Sequence, residues 1–122
     1  MRLLDSNIFI YASQPQHLPT LAPLFAASDS FASEITRLEA LGYQKIASGD
    51  KLFLEETFST MQILSIDKVI IDKAIELRQQ HKMSAGDAIH AATALLNNLE
   101  LHTRNTSDFS WIAGLKVVNP IP

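Results

Sequence analysis

Four acidic residues of this 122-residue chain stand where its predicted elements would bring carboxylates together. They are Asp5, Glu39, Asp87 and Asp108. Carboxylate oxygens are hard ligands, and without cysteine or a paired-histidine motif they favour Mg²⁺ or Mn²⁺ over zinc. Such an ion lowers the pKa of a bound water molecule and stabilises charge on a phosphate. The chemistry that these residue types indicate is therefore metal-assisted hydrolysis of a phosphodiester bond.

Each of the four carboxylates also has a purely local interpretation. Asp5 could cap the helix that follows it, and Asp108 could hold a turn before an aromatic residue. The other two acids follow a serine or threonine by three positions, the pattern of a capping box: Thr36 with Glu39, and Ser84 with Asp87. Convergence favours a site, because four carboxylates at one edge of a sheet would repel strongly unless a cation neutralised them.

The stretch 83–98, MSAGDAIHAATALLNN, is the most clearly marked element. Ser84 predicts the start of a helix, with Asp87 in its first turn. The apolar positions Ile89, Ala92 and Leu95, with further alanines between them, predict a helix that packs closely on both sides. Such a helix belongs in the middle of a domain.

Strands and helices alternate through the rest of the chain. The pattern predicts strands at 2–5, 30–33, 61–66, 101–103 and 116–118. Helices are expected at 8–12, 18–27, 33–48 with Gly49 as its stop, from Asp50 onward, and after Asp67 as N-cap. This alternation predicts one α/β domain over 1–122, a three-layer α/β/α sandwich around a mostly parallel sheet of about five short strands. Ligands of such sheets bind at the carboxyl ends of the strands, where the four acids fall.

Composition limits the classes of function. No apolar run approaches the roughly 20 residues of a membrane span, and Asp5 and Asn7 interrupt what would be a signal-peptide core. The absence of cysteine suits a reducing cytoplasm and excludes thiol catalysis. A net charge of −3 means that the field of the whole protein would not attract nucleic acid, so a local patch or bound cations would have to do so.

Four blocks carry a resemblance to a known family: LLDSNIFIY, SEITRLEALGY, SAGDAIHAATA and LHTRNTSDF with GLKVVNP. In this order they resemble the PIN domain, and more narrowly its VapC-type bacterial toxins. The resemblance implies a Mg²⁺-dependent endoribonuclease, usually a homodimer, held inactive by a cognate antitoxin. It matches Asp5, Glu39 and Asp87 to the family's acidic positions. The fourth position falls on Asp108 or Asn105, and we favour Asp108 because only it carries charge.

Residues beside these blocks invite supporting roles. Ser6 and Thr103 could donate hydrogen bonds to the acids or to a water molecule, and simple capping is the alternative. Three basic residues could contact phosphate or be ordinary surface charge: Arg37, Lys82 and Arg104. Asn7 and Asn105 are further candidates for contacts with the acids or the substrate. His90 is interpreted as a packing or solvent-facing residue, and no histidine is assigned to catalysis.

Two other classes of protein compete with the nuclease. A PIN-like module could bind RNA or a protein without cutting, although idle carboxylates would gain nothing from their mutual repulsion. A phosphatase or receiver domain would need paired acids after the first strand, where this chain has Asp5-Ser6-Asn7. The stretches 9–11 and 52–58 carry more large apolar residues than a small sheet covers, which predicts a homodimer and a partner peptide there.

Overall fold

The computed structural model describes residues 1–121, and these residues form five strands and six α-helices. The strands are β1 (Arg2–Leu4), β2 (Ser30–Ser33), β3 (Gln62–Leu64), β4 (Glu100–His102) and β5 (Val117–Val118). The helices are α1 (Ser6–Ala12), α2 (Leu18–Ala26), α3 (Glu34–Leu41), α4 (Ser48–Thr60), α5 (Lys68–Gln80) and α6 (Ala85–Leu96), and a 3₁₀ turn spans Thr106–Asp108. All pairings are parallel in the order β3-β2-β1-β4-β5, which confirms the predicted α/β/α class.

β1 lies in the middle of the sheet, because the chain crosses to either side of it. Leu3 is in register with Phe31 of β2 and Leu101 of β4. The backbone N–H of Asp5 donates to the carbonyl of His102 at 3.0 Å, which extends the β1–β4 pairing by one step. Asp5 therefore stands at the centre of the carboxyl edge.

The two faces of the sheet carry separate cores, since neighbouring side chains of a strand point to opposite faces. Leu3 packs with α5 and α6, and Leu4 packs with α1 to α4. Four alanines of α6 are fully buried in the first core: Ala88, Ala91, Ala92 and Ala94. The predicted small-residue helix is confirmed, and its close packing brings the first turn of α6 against the sheet edge.

One predicted helix is wrong. The stretch 33–48 does not continue to Gly49, because α3 ends at Leu41 and Gly42 donates its N–H to Leu38 at 2.8 Å. The apolar stripe suggested a core face, yet Leu38 is 67% exposed. The chain then turns, and α4 starts at Ser48 with Gly49 inside its first turn. The other predicted elements are found with ends shifted by one or two residues.

The capping-box interpretation of Thr36 and Glu39 is also wrong. The cap of α3 is Ser33, whose hydroxyl accepts the N–H of Ile35 at 3.2 Å. Thr36 is a fully buried residue inside the helix. Glu39 is thus free of any role in starting the helix. Within residues 1–121, none of the helices is long and apolar enough to cross a membrane.

Candidate active site

Asp5 is held by hydrogen bonds from the start of α1 and from the residue that follows β4. Its Oδ1 accepts the backbone N–H of Ser6 at 2.7 Å, so it is the N-cap of α1. Its Oδ2 accepts the hydroxyl of Thr103, the residue after β4, at 2.8 Å. The side chain is buried, with the residue only 5% exposed. The local role and a place in the acid cluster are compatible, because the two oxygens serve different donors.

Glu39 reaches the same place from α3. Its Oε1 accepts the Ser6 hydroxyl at 2.6 Å and lies 3.2 Å from Nε2 of His90. Gly86, in the first turn of α6, lets this carboxylate approach, because a Cβ there would overlap Glu39 Oε2 and lie 3.2 Å from its Cδ. A glycine at this position of a helix is intrinsically unfavourable, and the close approach accounts for it.

His90 is the residue that sequence reasoning missed. It is 1% exposed, and its Nε2 lies 3.2 Å from both Asp5 Oδ1 and Glu39 Oε1 and 3.1 Å from the Ser6 hydroxyl. Of the two roles expected for His90, packing is correct and solvent exposure is wrong. Since carboxylates only accept hydrogen bonds, Nε2 carries the proton that faces them. The available signal was its spacing of three residues from Asp87 on one helix, which places both on the same side of α6.

The electrostatics divide the acids into two groups. The hydrogen bond from His90 lowers the pKa of Glu39, and the bond from Ser6 adds to this effect against the opposing effect of burial. Burial raises the pKa of Asp87, and the negative charges of Asp5 and Asp108 raise it further, with His90 opposing. The first carboxylate is stabilised as an anion by its donors. For the second, burial and like charges outweigh the opposing effects of His90 and of the hydrogen bond with Ser84.

Asp87 and Asp108 line one cleft of ≈ 520 Å³ beside the acid edge. The N-cap of α6 is Ser84, and its hydroxyl accepts the backbone N–H of Asp87 at 3.1 Å. Ser84 is therefore confirmed as the cap of α6, through the main chain of Asp87, and the Asp87 residue lines the cleft. Asp108 ends the 3₁₀ turn and is exposed.

The remaining candidates lie at different distances from the acids. Asn105 is exposed and donates its N–H to Thr103 at 3.1 Å, so it supports the residue that holds Asp5. Arg104 lies over the ring of Tyr11 at 4.7 Å. The Oδ1 atom of Asn7 is buried without a hydrogen-bond partner in residues 1–121. Arg37 forms an ion pair with Glu34 on its own helix and is not brought to the acids.

The donor set suits a hard divalent cation in type and in charge. All four acids supply oxygen, and the repulsion felt by Asp87 is what a bound cation would relieve. In the described part of the chain, however, no three acidic or histidine side chains already form a metal-holding group. Ser6, His90 and Thr103 hold both oxygens of Asp5 and the Oε1 of Glu39, while no hydrogen bond from the described residues reaches Oε2 of Glu39.

The chain was compared with models of known protein families. The family model of the PIN domain matches residues 2–115 of the chain. A comparison with curated proteins gives no match.

Comparison with solved structures gives many similar chains. A toxin–antitoxin complex from Klebsiella pneumoniae contains a chain that is 34% identical, with a TM-score of 0.78 and 98% of each chain covered. FitAcB from Neisseria gonorrhoeae contains one at 26% identity, TM-score 0.75 and 98% coverage of both chains. VapBC2 from Rickettsia felis, bound to a promoter DNA fragment, matches at 22% identity, TM-score 0.79 and 97% coverage of both, and supports the fold. These matches confirm the resemblance carried by the four sequence blocks.

Proposed function

The chain belongs to the PIN domain family, and from that premise we propose that it is a metal-dependent endoribonuclease acting as the toxin of a toxin–antitoxin pair. PIN domains are generally nucleases that use divalent metals. The observation that carries the proposal is that Asp87 and Asp108 line one cleft, where burial and the charges of Asp5 and Asp108 raise the pKa of Asp87. Carboxylates that repel one another at the carboxyl edge of a parallel sheet cost stability, and a bound cation would offset that cost.

In this proposal Asp5, Asp87 and Asp108 hold Mg²⁺ or Mn²⁺, and Glu39 completes the site or orients the attacking water. The bound cation would supply activation of a water molecule and offset of charge on the phosphate oxygens. Ser6 and His90 keep Glu39 ionised and aimed at the edge, and the hydroxyl of Thr103 holds the side chain of Asp5 in place. Attack by water rather than by the ribose 2′-hydroxyl leaves a 5′-phosphate and a 3′-hydroxyl.

The partners follow from the same relationship. We propose a cognate antitoxin, supported by the Klebsiella relative, which was solved as a toxin–antitoxin complex, and a homodimer, which exposed apolar residues favour. Surface apolar residues occur where the sequence predicted them, since Ile10 is 48% and Leu52 is 60% exposed. Phe9 and Phe58 of the same stretches are buried in the core, so the available surface is narrower than expected.

The test is cleavage of a mixed-sequence RNA by the purified chain. We expect cleavage with Mg²⁺ or Mn²⁺, none in EDTA, and none with Asp5→Asn. Asp67→Asn is the matched control, because Asp67 also follows a strand but serves as the N-cap of α5 and accepts the N–H of Ile70 at 2.9 Å. Undiminished cleavage in EDTA would contradict the metal mechanism. RNA binding without cleavage in any metal would instead favour the non-cutting PIN-like module.

A further inference from the structure

The basic side chains of this acidic protein differ in whether they form ion pairs. Six of the ten lysine and arginine side chains pair with a carboxylate. Within residues 1–121, the other four have no carboxylate within ion-pair distance: Lys45, Arg78, Lys82 and Arg104. An unpaired cation keeps its full charge for a ligand, so the positions of these four decide where a polyanion would be attracted.

Two of the four lie on one side of the acids. Arg78 and Lys82 line the ≈ 520 Å³ cleft together with Asp87 and Asp108. The Nε of Arg78 donates to the carbonyl of Met83 at 3.1 Å, which fixes the side chain and leaves its terminal nitrogens for another acceptor. The wall of this cleft therefore contains two unpaired cations and two of the proposed catalytic acids.

The other two unpaired cations lie beside the remaining acids. Lys45 lines a second cleft, of ≈ 250 Å³, that also contains Glu39. Arg104 directly follows Thr103, whose hydroxyl binds Asp5. Three of the unpaired cations therefore line clefts that contain the acids, and the fourth follows the residue that binds Asp5, whereas the paired Lys116 precedes β5 at the opposite edge of the sheet.

Aromatic rings accompany the cations. His81, in the first cleft, stacks on Trp111 with ring centroids 4.5 Å apart and planes 13° from parallel. Arg104 lies 4.7 Å from the centre of the Tyr11 ring. Rings and guanidinium planes beside a charged groove are the features that hold the bases and the backbone of single-stranded nucleic acid.

We propose that Lys45, Arg78, Lys82 and Arg104 hold the phosphates of a single-stranded RNA on both sides of the acid cluster. The proposal rests on the proposed function, because it assigns the substrate path of the same site. A single strand fits better than a duplex, since only unpaired bases reach the His81–Trp111 stack. An acidic protein segment fits less well, because it carries no bases for the His81–Trp111 stack.

The experiment measures RNA binding separately from cleavage. A fluorescently labelled single-stranded RNA of about 12 nucleotides is titrated in EDTA at NaCl concentrations between about 50 and 200 mM. The variants are two site doubles, Arg78→Gln with Lys82→Gln and Lys45→Gln with Arg104→Gln. The control double is Lys68→Gln with Lys116→Gln, which removes the same charge from two cations that pair elsewhere, with Asp72 and Glu100.

We expect each site double to bind at least tenfold more weakly than the control double at low salt. The slope of log K against log salt should fall by about 1.4, because each lost phosphate contact on a single strand removes about 0.7. Equal slopes in the site doubles and the control double would overturn the proposal. A parent chain that fails to bind at the lowest salt would overturn it as well.

Cleavage of the same RNA in Mg²⁺ separates this proposal from the proposed function. Slopes that fall as expected in a protein that never cleaves would leave the RNA path standing and refute the nuclease. If the parent cleaves RNA but its salt slope equals that of both site doubles, the nuclease would stand and the RNA path would be refuted.

Discussion

Replacing Gly86 with alanine tests whether the position of Glu39 matters to the chemistry. In an ordinary helix, glycine to alanine gains about 0.8–1 kcal/mol of stability. At Gly86 the new Cβ would overlap Oε2 of Glu39, which is the far end of a flexible side chain held by Ser6 and His90. The carboxylate therefore moves instead of the helix, by about 1 Å to reach normal contact distance. A misplacement of this size at a reacting centre costs about 10²-fold in rate.

Gly49→Ala is the matched control. Gly49 also lies in the first turn of a helix, and a Cβ there meets nothing within 4 Å. We expect Gly49→Ala to melt at a higher temperature than the parent, by roughly 4 °C per kcal/mol gained, with unchanged cleavage. Gly86→Ala should gain less stability and lose about 10²-fold in kcat/KM for RNA in Mg²⁺.

A double-mutant cycle identifies the cause. If Gly86→Ala acts through Glu39, adding it to Glu39→Gln should cost little more than Glu39→Gln alone, because the two sites are in contact and their effects are not additive. Cleavage by Gly86→Ala at the parent's rate would refute the reasoning, since it would mean that Glu39 can leave its hydrogen bonds to Ser6 and His90 without consequence.

Two further predictions follow from the contacts of the acids. Asp87→Asn should leave the metal-free protein as stable as the parent or more so. Because the pKa of Asp87 is raised, the folded parent keeps the proton at pH values where the unfolded chain has lost it, and the stability of the parent falls as pH rises above about 3.8. The stability gained by the variant should therefore grow over the same pH range. Asp67→Asn, by contrast, should lose the helix-dipole contribution of about 0.3–1 kcal/mol in urea unfolding, and an equal loss in Asp87→Asn would return Asp87 to a capping role. His90→Leu should lose about 1–3 kcal/mol and most of the cleavage, because Asp5 and Glu39 lose a shared donor. His90→Gln, which retains a donor, should recover part of both, and identical activity in the two variants would contradict the positioning role.

The sequence predicted the elements whose signals are local. Ser84 and Asp67 cap the helices expected of them, because a short polar side chain before an apolar run satisfies the first free N–H groups. The alternation of strands and helices was sufficient for the layer architecture. The 33–48 helix was wrong because apolar spacing alone does not report where a face is covered, and Gly42 ended the helix before the stripe was complete.

The site was less predictable than the fold. Positions at strand ends and at the start of α6 singled out Asp5, Asp87 and Asp108, because parallel strands bring their carboxyl ends to one edge. The contact between His90 and two carboxylates depends on residues 51 or more positions apart, so no local pattern contains it. Gly86 was overlooked for the same reason, since its meaning lies in a carboxylate from another helix.

The hydrogen bond between Thr103 and Asp5 joins residues 98 positions apart, so Asp5 is synthesised well before its partner. At about 5–20 residues per second, the ribosome needs about 5–20 s after making Asp5 to supply Thr103, and Asp108 follows later still. During that interval the nascent chain holds Asp5 without one of its two donors, and the α6 cleft lacks its second acid. The acids of the proposed site can therefore meet only when nearly the whole sequence has been made.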